Sequence, residues 1–202
     1  MELLLQQLQV TPLFDLLNNT PNIRYYYNLL TADECDYVIN NIDNFQKSLG
    51  FDFETNQAKL TDWRTSSVYH DYNKKFNYIV KKASELSGYP ISNIEILQVL
   101  KYERNEYYKP HWDYFNFPPT WVTTTNDRVA TMIVYLNDNF TGGLTNFPEL
   151  NINVIPKKGS ALFFRYDYLE EIKKLTLHTG MPVIAGTKYI ATVWIRSTVW
   201  IK

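Results

Sequence analysis

Hydrophobic positions along this chain follow two periods, a helical one over roughly its first ninety residues and a two-residue alternation from Ile94 onward. Residues 1–18 carry the spacing of a short amphipathic helix, which Asn18-Asn19-Thr20-Pro21 breaks. Ile23 to Tyr27 reads as extended, and its run of three tyrosines alternates faces, so at least one ring packs in the core. Thr31-Ala32-Asp33-Glu34 has the spacing of a capping box, with Thr31 at the N-cap and Glu34 at N3, and predicts a helix to about Leu49. Gly50 to Thr61 is polar and irregular, and Asp62 to Tyr69 is extended. Phe76, Ile79, Val80, Ala83 and Leu86 recur at helical spacing, predicting a helix over Tyr72 to Leu86 closed by Gly88 and Pro90.

From Ile94 the pattern predicts eight strands: Ile94 to Tyr102, Tyr107 to Tyr114, Val129 to Leu136, Leu144 to Phe147, Ile152 to Ile155, Ala161 to Arg165, Leu175 to Pro182 and Lys188 to Thr198. Gly142-Gly143, Pro156-Lys157-Lys158-Gly159 and Ala185-Gly186-Thr187 supply turns. Helices followed by short antiparallel strands give an α+β class, a double-stranded jelly roll with N-terminal supporting helices. No linker, repeat or low-complexity segment divides residues 1–202, so one domain is expected, with helical support over about 1–90 and the jelly-roll core over about 91–202. The segment Tyr114 to Asn126, with Pro118-Pro119 and three threonines, is long enough for a flap over a site, and equally for a surface loop.

Composition narrows the function classes. The chain is 202 residues long with 45% hydrophobic and 20% charged residues, which suits one globular domain and argues against disorder. A net charge of -1 disfavours a long phosphate-tracking surface, so nucleic acid is a poor partner. The single cysteine, Cys35, excludes an internal disulfide framework and a multi-cysteine zinc site, and points to a reducing compartment. The first residues lack a basic region and their apolar run is broken by Gln6-Gln7, so no signal peptide or membrane span is expected and the protein reads as cytoplasmic.

The chemistry centres on Lys109-Pro110-His111-Trp112-Asp113, with His178 far downstream and Lys188 ten residues beyond it. On a strand, His111 and Asp113 share a face, and His178 completes a set of two imidazoles and one carboxylate. Such a set suits Fe(II) and leaves open positions for a co-substrate and dioxygen, whereas thiolates would favour softer, tetrahedral metals. A His-X-Asp triplet alone is a frequent accident; the ordered addition of His178 and Lys188 on predicted strands is what gives it weight. Lys188 begins an otherwise apolar strand, where a buried cation needs a partner, and a dicarboxylate ligand meets that need. His70 stands outside this constellation and reads as structural.

These motifs resemble the prolyl 4-hydroxylase branch of the 2-oxoglutarate and Fe(II)-dependent dioxygenases over roughly Asp62 to Ile195. The resemblance implies that His111, Asp113 and His178 bind Fe(II), and that Lys188 binds the distal carboxylate of 2-oxoglutarate. It also places Tyr102, Tyr135 and Thr145 on the co-substrate pocket, and Arg64, Ser66, Glu95, Tyr108, Arg128 and Trp194 against a peptide. O2 is the further co-substrate it implies, ascorbate the reductant, and a proline-containing peptide or protein the partner. Two positions depart from the family pattern. Glu103-Arg104-Asn105-Glu106 replaces a loop that usually holds glycine, and Arg196 stands where histidine or another polar residue is usual.

The implied activity is hydroxylation of proline at C4 in an extended peptide, with oxidative decarboxylation of 2-oxoglutarate to succinate and CO2. A polyproline II segment suits an aromatic groove because it loses little entropy on docking. Alternatives are an oxygenase acting on a free amino acid or small metabolite, and a non-catalytic module that binds proline-rich segments. A nucleic-acid demethylase fits less well, given the charge balance and a lysine in place of the arginine expected there.

Overall fold

The computed structural model of the chain describes residues 10–12, 22–52, 57–114, 127–166 and 170–200. Two antiparallel sheets face one another. The larger runs in the order Val10–Pro12, Ile23–Tyr26, Ala161–Arg165, Arg128–Tyr135, Lys188–Arg196, Gln98–Tyr102, Ser67–His70 and Gln46–Lys47. The smaller runs Ile152–Val154, Thr145–Phe147, His178–Gly180 and Tyr108–His111. Two such sheets, with helices packed on the outer face of the larger, make the expected jelly roll, and the α+β expectation holds.

Strand parity explains where the cores lie. Along Arg128–Tyr135, Met132 and Val134 point one way and join Val99, Phe163, Ala191 and Val193 against Val38, Ile79, Val80 and Ala83 of the helices. Ile133 and Tyr135 point the other way and meet Leu100, Leu162, Phe164 and Ile190, with Phe147 and Val154 from the smaller sheet. The central strands are apolar on both faces because helices cover one face and a sheet the other. Ile79 is fully buried, and Ile79→Ala is expected to cost about 2–5 kcal/mol. The tyrosine run behaves as alternation requires: Tyr25 enters the inter-sheet core, Tyr26 the helical one, and Tyr27 is exposed.

Several predicted elements change on folding. The capping box is formed, since the Glu34 N–H donates to Thr31 Oγ1 at 3.1 Å and the Thr31 N–H donates to Glu34 Oε2 at 2.8 Å. Its helix, however, covers only Ala32–Asn40. Asn40-Asn41 and Asp43-Asn44 are poor helix formers, and Gln46–Lys47 pairs with Ser67 and Val68 at the sheet edge instead. The second helix spans Asn77–Ser87 rather than starting at Tyr72, because the Asp71 carboxylate accepts the Lys75 and Phe76 N–H groups at 2.9 and 2.7 Å and holds a turn there. It closes as expected at Gly88, which is left-handed at φ 76°.

The first ninety residues are less helical than their pattern suggests. Gly50–Asp52 and Gln57–Lys59 pair as a hairpin, Val10–Pro12 is a strand, and Ser67–His70 joins the main sheet. The rest of the predicted 1–18 helix, and the Tyr114 to Asn126 segment beyond Tyr114, lie outside the described residues. Glu170–Lys174 forms a helix that the pattern did not predict, and the strand predicted over Leu175 to Pro182 shortens to His178–Gly180.

Candidate active site

His111 and Asp113, near neighbours in the chain, meet the distant His178 where the smaller sheet meets the larger. His178 pairs with His111 across adjacent antiparallel strands, bringing their ring centroids to 4.3 Å. Asp113 does not share a strand with His111, since the strand ends at His111 and Asp113 sits on a bend. That bend still delivers the carboxylate: Asp113 Oδ1 lies 3.7 Å from His111 Nε2, and Oδ2 lies 3.6 Å from His178 Nε2. One ligand atom from each residue falls within 4.8 Å of the others.

The imidazoles are oriented by hydrogen bonds on their far side. His111 Nδ1 lies 2.8 Å from the Lys109 carbonyl and His178 Nδ1 lies 3.0 Å from the Thr176 carbonyl. A carbonyl only accepts, so both Nδ1 atoms carry the proton and both Nε2 lone pairs face the centre. Tyr108 stacks on the His111 ring at 3.5 Å and fixes its plane. Burial, followed by the neighbouring His178, pushes His111 down to about 3, so its imidazole is neutral. Burial alone would raise the Asp113 carboxyl, but its electrostatic interactions with the His178 and His111 rings and the Arg128 guanidinium, with the hydrogen bond from Thr131, together hold it below its ordinary value. Two imidazole Nε2 atoms turned to the centre and an ionised carboxylate fit Fe(II).

The bend that carries Asp113 is clamped on both sides by the unpredicted helix. Trp112 Nε1 donates to the Lys174 carbonyl at 3.0 Å, and the Lys173 ammonium lies 4.5 Å from the Tyr114 ring centroid. Thr131 Oγ1 donates to Asp113 Oδ2 at 2.7 Å and contacts Tyr166 Oη at 3.1 Å. Arg128 Nη1 donates to the Asp113 carbonyl at 3.2 Å. Sequence reasoning missed Thr131 and Tyr166; the visible signal was a lone hydroxyl in the apolar run Val129 to Val134, which a buried strand does not carry without a partner.

Lys188 stands across the same cavity. It is 2% exposed, and its ammonium donates to the Gly143 carbonyl at 2.7 Å. Tyr102 and Tyr135 flank it, with ring centroids 5.4 and 5.8 Å from Nζ. Burial lowers the amine from its ordinary 10.5 to about 7. Gly143 has to be glycine: its φ is +62°, and an added Cβ would come within 2.9 Å of Phe140 and 3.2 Å of the Lys188 stem. Tyr135 Oη and Thr145 Oγ1 are 2.8 Å apart, and Tyr102 hydrogen-bonds Ser66.

Lys188, Ile190, Thr192 and Trp194 alternate along one strand and all line the cavity, together with Arg64, Tyr102, Tyr108 and Thr145. Arg64, Tyr108 and Trp194, among the peptide candidates, therefore share the cavity wall. Ser66, Glu95 and Arg128 do not line that wall. Ser66 is fully buried with its hydroxyl on Ser48 at 2.9 Å. Glu95 accepts from Arg128 Nε at 2.7 Å, from Arg128 Nη2 at 3.0 Å and from Arg196 Nε at 2.6 Å. The departure at Arg196 thus adds a second guanidinium to Glu95, and Arg128 Cζ lies over the Trp194 ring, 3.8 Å from its centroid.

A jelly roll that brings two imidazoles and a carboxylate together beside a buried lysine defines a non-haem iron dioxygenase that takes a keto-acid co-substrate. Comparison with known proteins narrows the class. Residues 97–196 match the 2OG-Fe(II) oxygenase superfamily. The chain is 34% identical to a probable prolyl 4-hydroxylase 3 of Arabidopsis thaliana over 90% of its own length and 71% of that protein. It is 33% identical to a putative prolyl 4-hydroxylase of Acanthamoeba polyphaga mimivirus, over 79% of this chain and 73% of the other. The crystal structure of a viral collagen prolyl hydroxylase from Paramecium Bursaria Chlorella virus-1, in complex with 2-oxoglutarate, superposes with a TM-score of 0.68 at 29% identity, covering 87% of this chain and 96% of that one. The chain belongs to the prolyl 4-hydroxylase family of Fe(II)- and 2-oxoglutarate-dependent dioxygenases. Among the described residues no helix is long and apolar enough to cross a membrane.

Proposed function

We propose that this protein hydroxylates proline at C4 in an extended peptide, with His111, Asp113 and His178 holding Fe(II) and Lys188 holding the distal carboxylate of 2-oxoglutarate. The observation that carries this reading is the pairing of a triad of two imidazoles and a carboxylate with a buried lysine across one cavity. Bound iron and 2-oxoglutarate supply the oxidising power, as one oxygen atom of O2 goes into succinate, released with CO2, and the other into the substrate C–H bond. The protein binds and orients. Lys188, Tyr102, Tyr135 and Thr145 grip the keto acid, and the apolar walls of Ile133 and Ile190 exclude water from its chain.

Two donors on residues of the cavity wall support a peptide substrate. Trp194 Nε1 and Arg64 Nε are buried without a hydrogen-bond partner among the described residues, and peptide carbonyls are acceptors that would satisfy them. Tyr108 supplies an aromatic wall for a proline ring. Glu95, Arg128 and Ser66 serve this surface from behind, by fixing Trp194 and Tyr102. Ascorbate as reductant, a cytoplasmic setting in which Cys35 stays a thiol, one domain over residues 1–202, and no nucleic-acid or membrane partner complete the proposal. Incubation with Fe(II), ascorbate, 2-oxoglutarate and a panel of proline-rich peptides is expected to add one oxygen to a proline residue. Succinate release with no peptide oxidised would instead indicate a small-molecule substrate, and absence of His111-dependent turnover would indicate a binding module.

A further inference from the structure

Asp113 is the one triad member that no strand holds. His111 and His178 are placed by ladder pairing and by backbone carbonyls behind each ring, whereas Asp113 lies on a bend with the chain leaving its strand. A carboxylate there can rotate about its own χ angles, and rotation decides which oxygen meets a metal and whether one oxygen or both do so. Something else must fix it.

Thr131 and Tyr166 are placed to do this. Thr131 is completely buried, Tyr166 is 2% exposed and Asp113 is 6% exposed, so water does not compete for their hydrogen bonds. An ionised carboxylate only accepts, which forces the Thr131 hydroxyl proton onto Asp113 Oδ2 across the 2.7 Å contact. Thr131 has no second proton. The 3.1 Å contact with Tyr166 must then run from the phenol to the threonine oxygen. A directed chain results, from Tyr166 to Thr131 to Asp113 Oδ2, in which each donor is polarised by the next acceptor. It engages Oδ2 only and leaves Oδ1, 3.7 Å from His111 Nε2, without a share in it.

Resting on the metal-site reading above, we propose that Thr131 and Tyr166 are positioning residues for iron: they tether Asp113 Oδ2 so that the carboxylate presents Oδ1 to the metal as a single-oxygen ligand. Neither residue touches the reacting atoms. Their effect is on metal affinity and on the number of oxygens that Asp113 contributes. Thr131 sits on the rigid central strand Arg128–Tyr135, whose first residue also grips the Asp113 carbonyl. One strand therefore holds the ligand by both its backbone and its carboxylate.

The test measures Mn(II) affinity by electron paramagnetic resonance, and the ligand-field spectrum of the Co(II) form, without turnover. Thr131→Val keeps the shape and removes the hydroxyl; it is expected to weaken Mn(II) binding by about 10- to 100-fold and to shift the Co(II) bands as the freed carboxylate changes its mode. Thr131→Ser restores both, because it returns the donor. Tyr166→Phe keeps the ring and gives a weakening in the same direction but smaller, and it serves as the independent probe if Thr131→Val does not fold. Wild-type affinity and spectrum in Thr131→Val, or in Tyr166→Phe where the valine variant fails, would overturn the proposal while leaving the metal site intact. A wild-type protein that binds no Mn(II) would overturn the metal-site reading as well.

Discussion

The metal end and the lysine end of the cavity are built on opposite plans. At the proposed metal end each of the three residues has a second bond that fixes it: carbonyls behind His111 and His178, a hydroxyl and a guanidinium on Asp113. At the lysine end a buried ammonium donates to one carbonyl, between two tyrosine rings. The difference teaches which end needs geometry and which needs charge. Directional coordination tolerates little misplacement, so the protein over-determines it; a carboxylate partner for Lys188 needs a cation in a dry wall and brings its own hydrogen-bond acceptors.

Breaking the geometric end should have the largest effect. Asp113→Ala or His178→Ala is expected to weaken Mn(II) binding by more than about 100-fold, beyond what loss of a supporting hydrogen bond costs, and turnover falls with it; equilibrium titration checks this. Lys188→Ala should leave Mn(II) affinity unchanged while raising the requirement for 2-oxoglutarate at least about tenfold, since truncating one partner of a buried charged pair costs about 2–5 kcal/mol. If both variants lost metal and co-substrate alike, the two ends would not be separate devices.

A pH series sharpens the contrast. With the amine lowered to about 7, the ligand-free protein holds fewer protons than the unfolded chain between about 7 and 10.5, so its stability rises with pH across that window. Co-substrate affinity moves the opposite way. Only the ammonium pairs with a carboxylate, so the apparent KM for 2-oxoglutarate is expected to rise by up to about tenfold per pH unit above 7, as the cationic fraction falls. Lys188→Arg, always charged, should flatten that rise; a rise as steep in Lys188→Arg as in the wild type would place the titrating group elsewhere. The smallest effect expected is that of Tyr135→Phe, which removes one neutral hydroxyl contact with Thr145 and should change the 2-oxoglutarate requirement by no more than about tenfold, about 0.5–1.5 kcal/mol.

Much of this was legible in the chain, because the signals concerned were local or strictly periodic. Thr31 and Glu34 announced a capping box, Gly88 a helix end, and the apolar run after Lys188 a strand with a cation at its start. His111, Asp113, His178 and Lys188 were legible by type and order. What could not be read was long-range pairing. Nothing in sequence spacing says that Gln46–Lys47 prefers a sheet edge to one more helical turn, or that Glu95 meets two arginines 33 and 101 positions away. Glu170–Lys174 is too short for a helical period to emerge, yet it clamps both neighbours of Asp113.

The most direct test is a crystal structure of the protein with Mn(II), standing in for Fe(II), and 2-oxoglutarate. The account predicts one metal ion on His111 Nε2, His178 Nε2 and Asp113, with the distal carboxylate of 2-oxoglutarate on Lys188 Nζ. A metal bound elsewhere, or a keto acid whose distal carboxylate avoids Lys188, would contradict it.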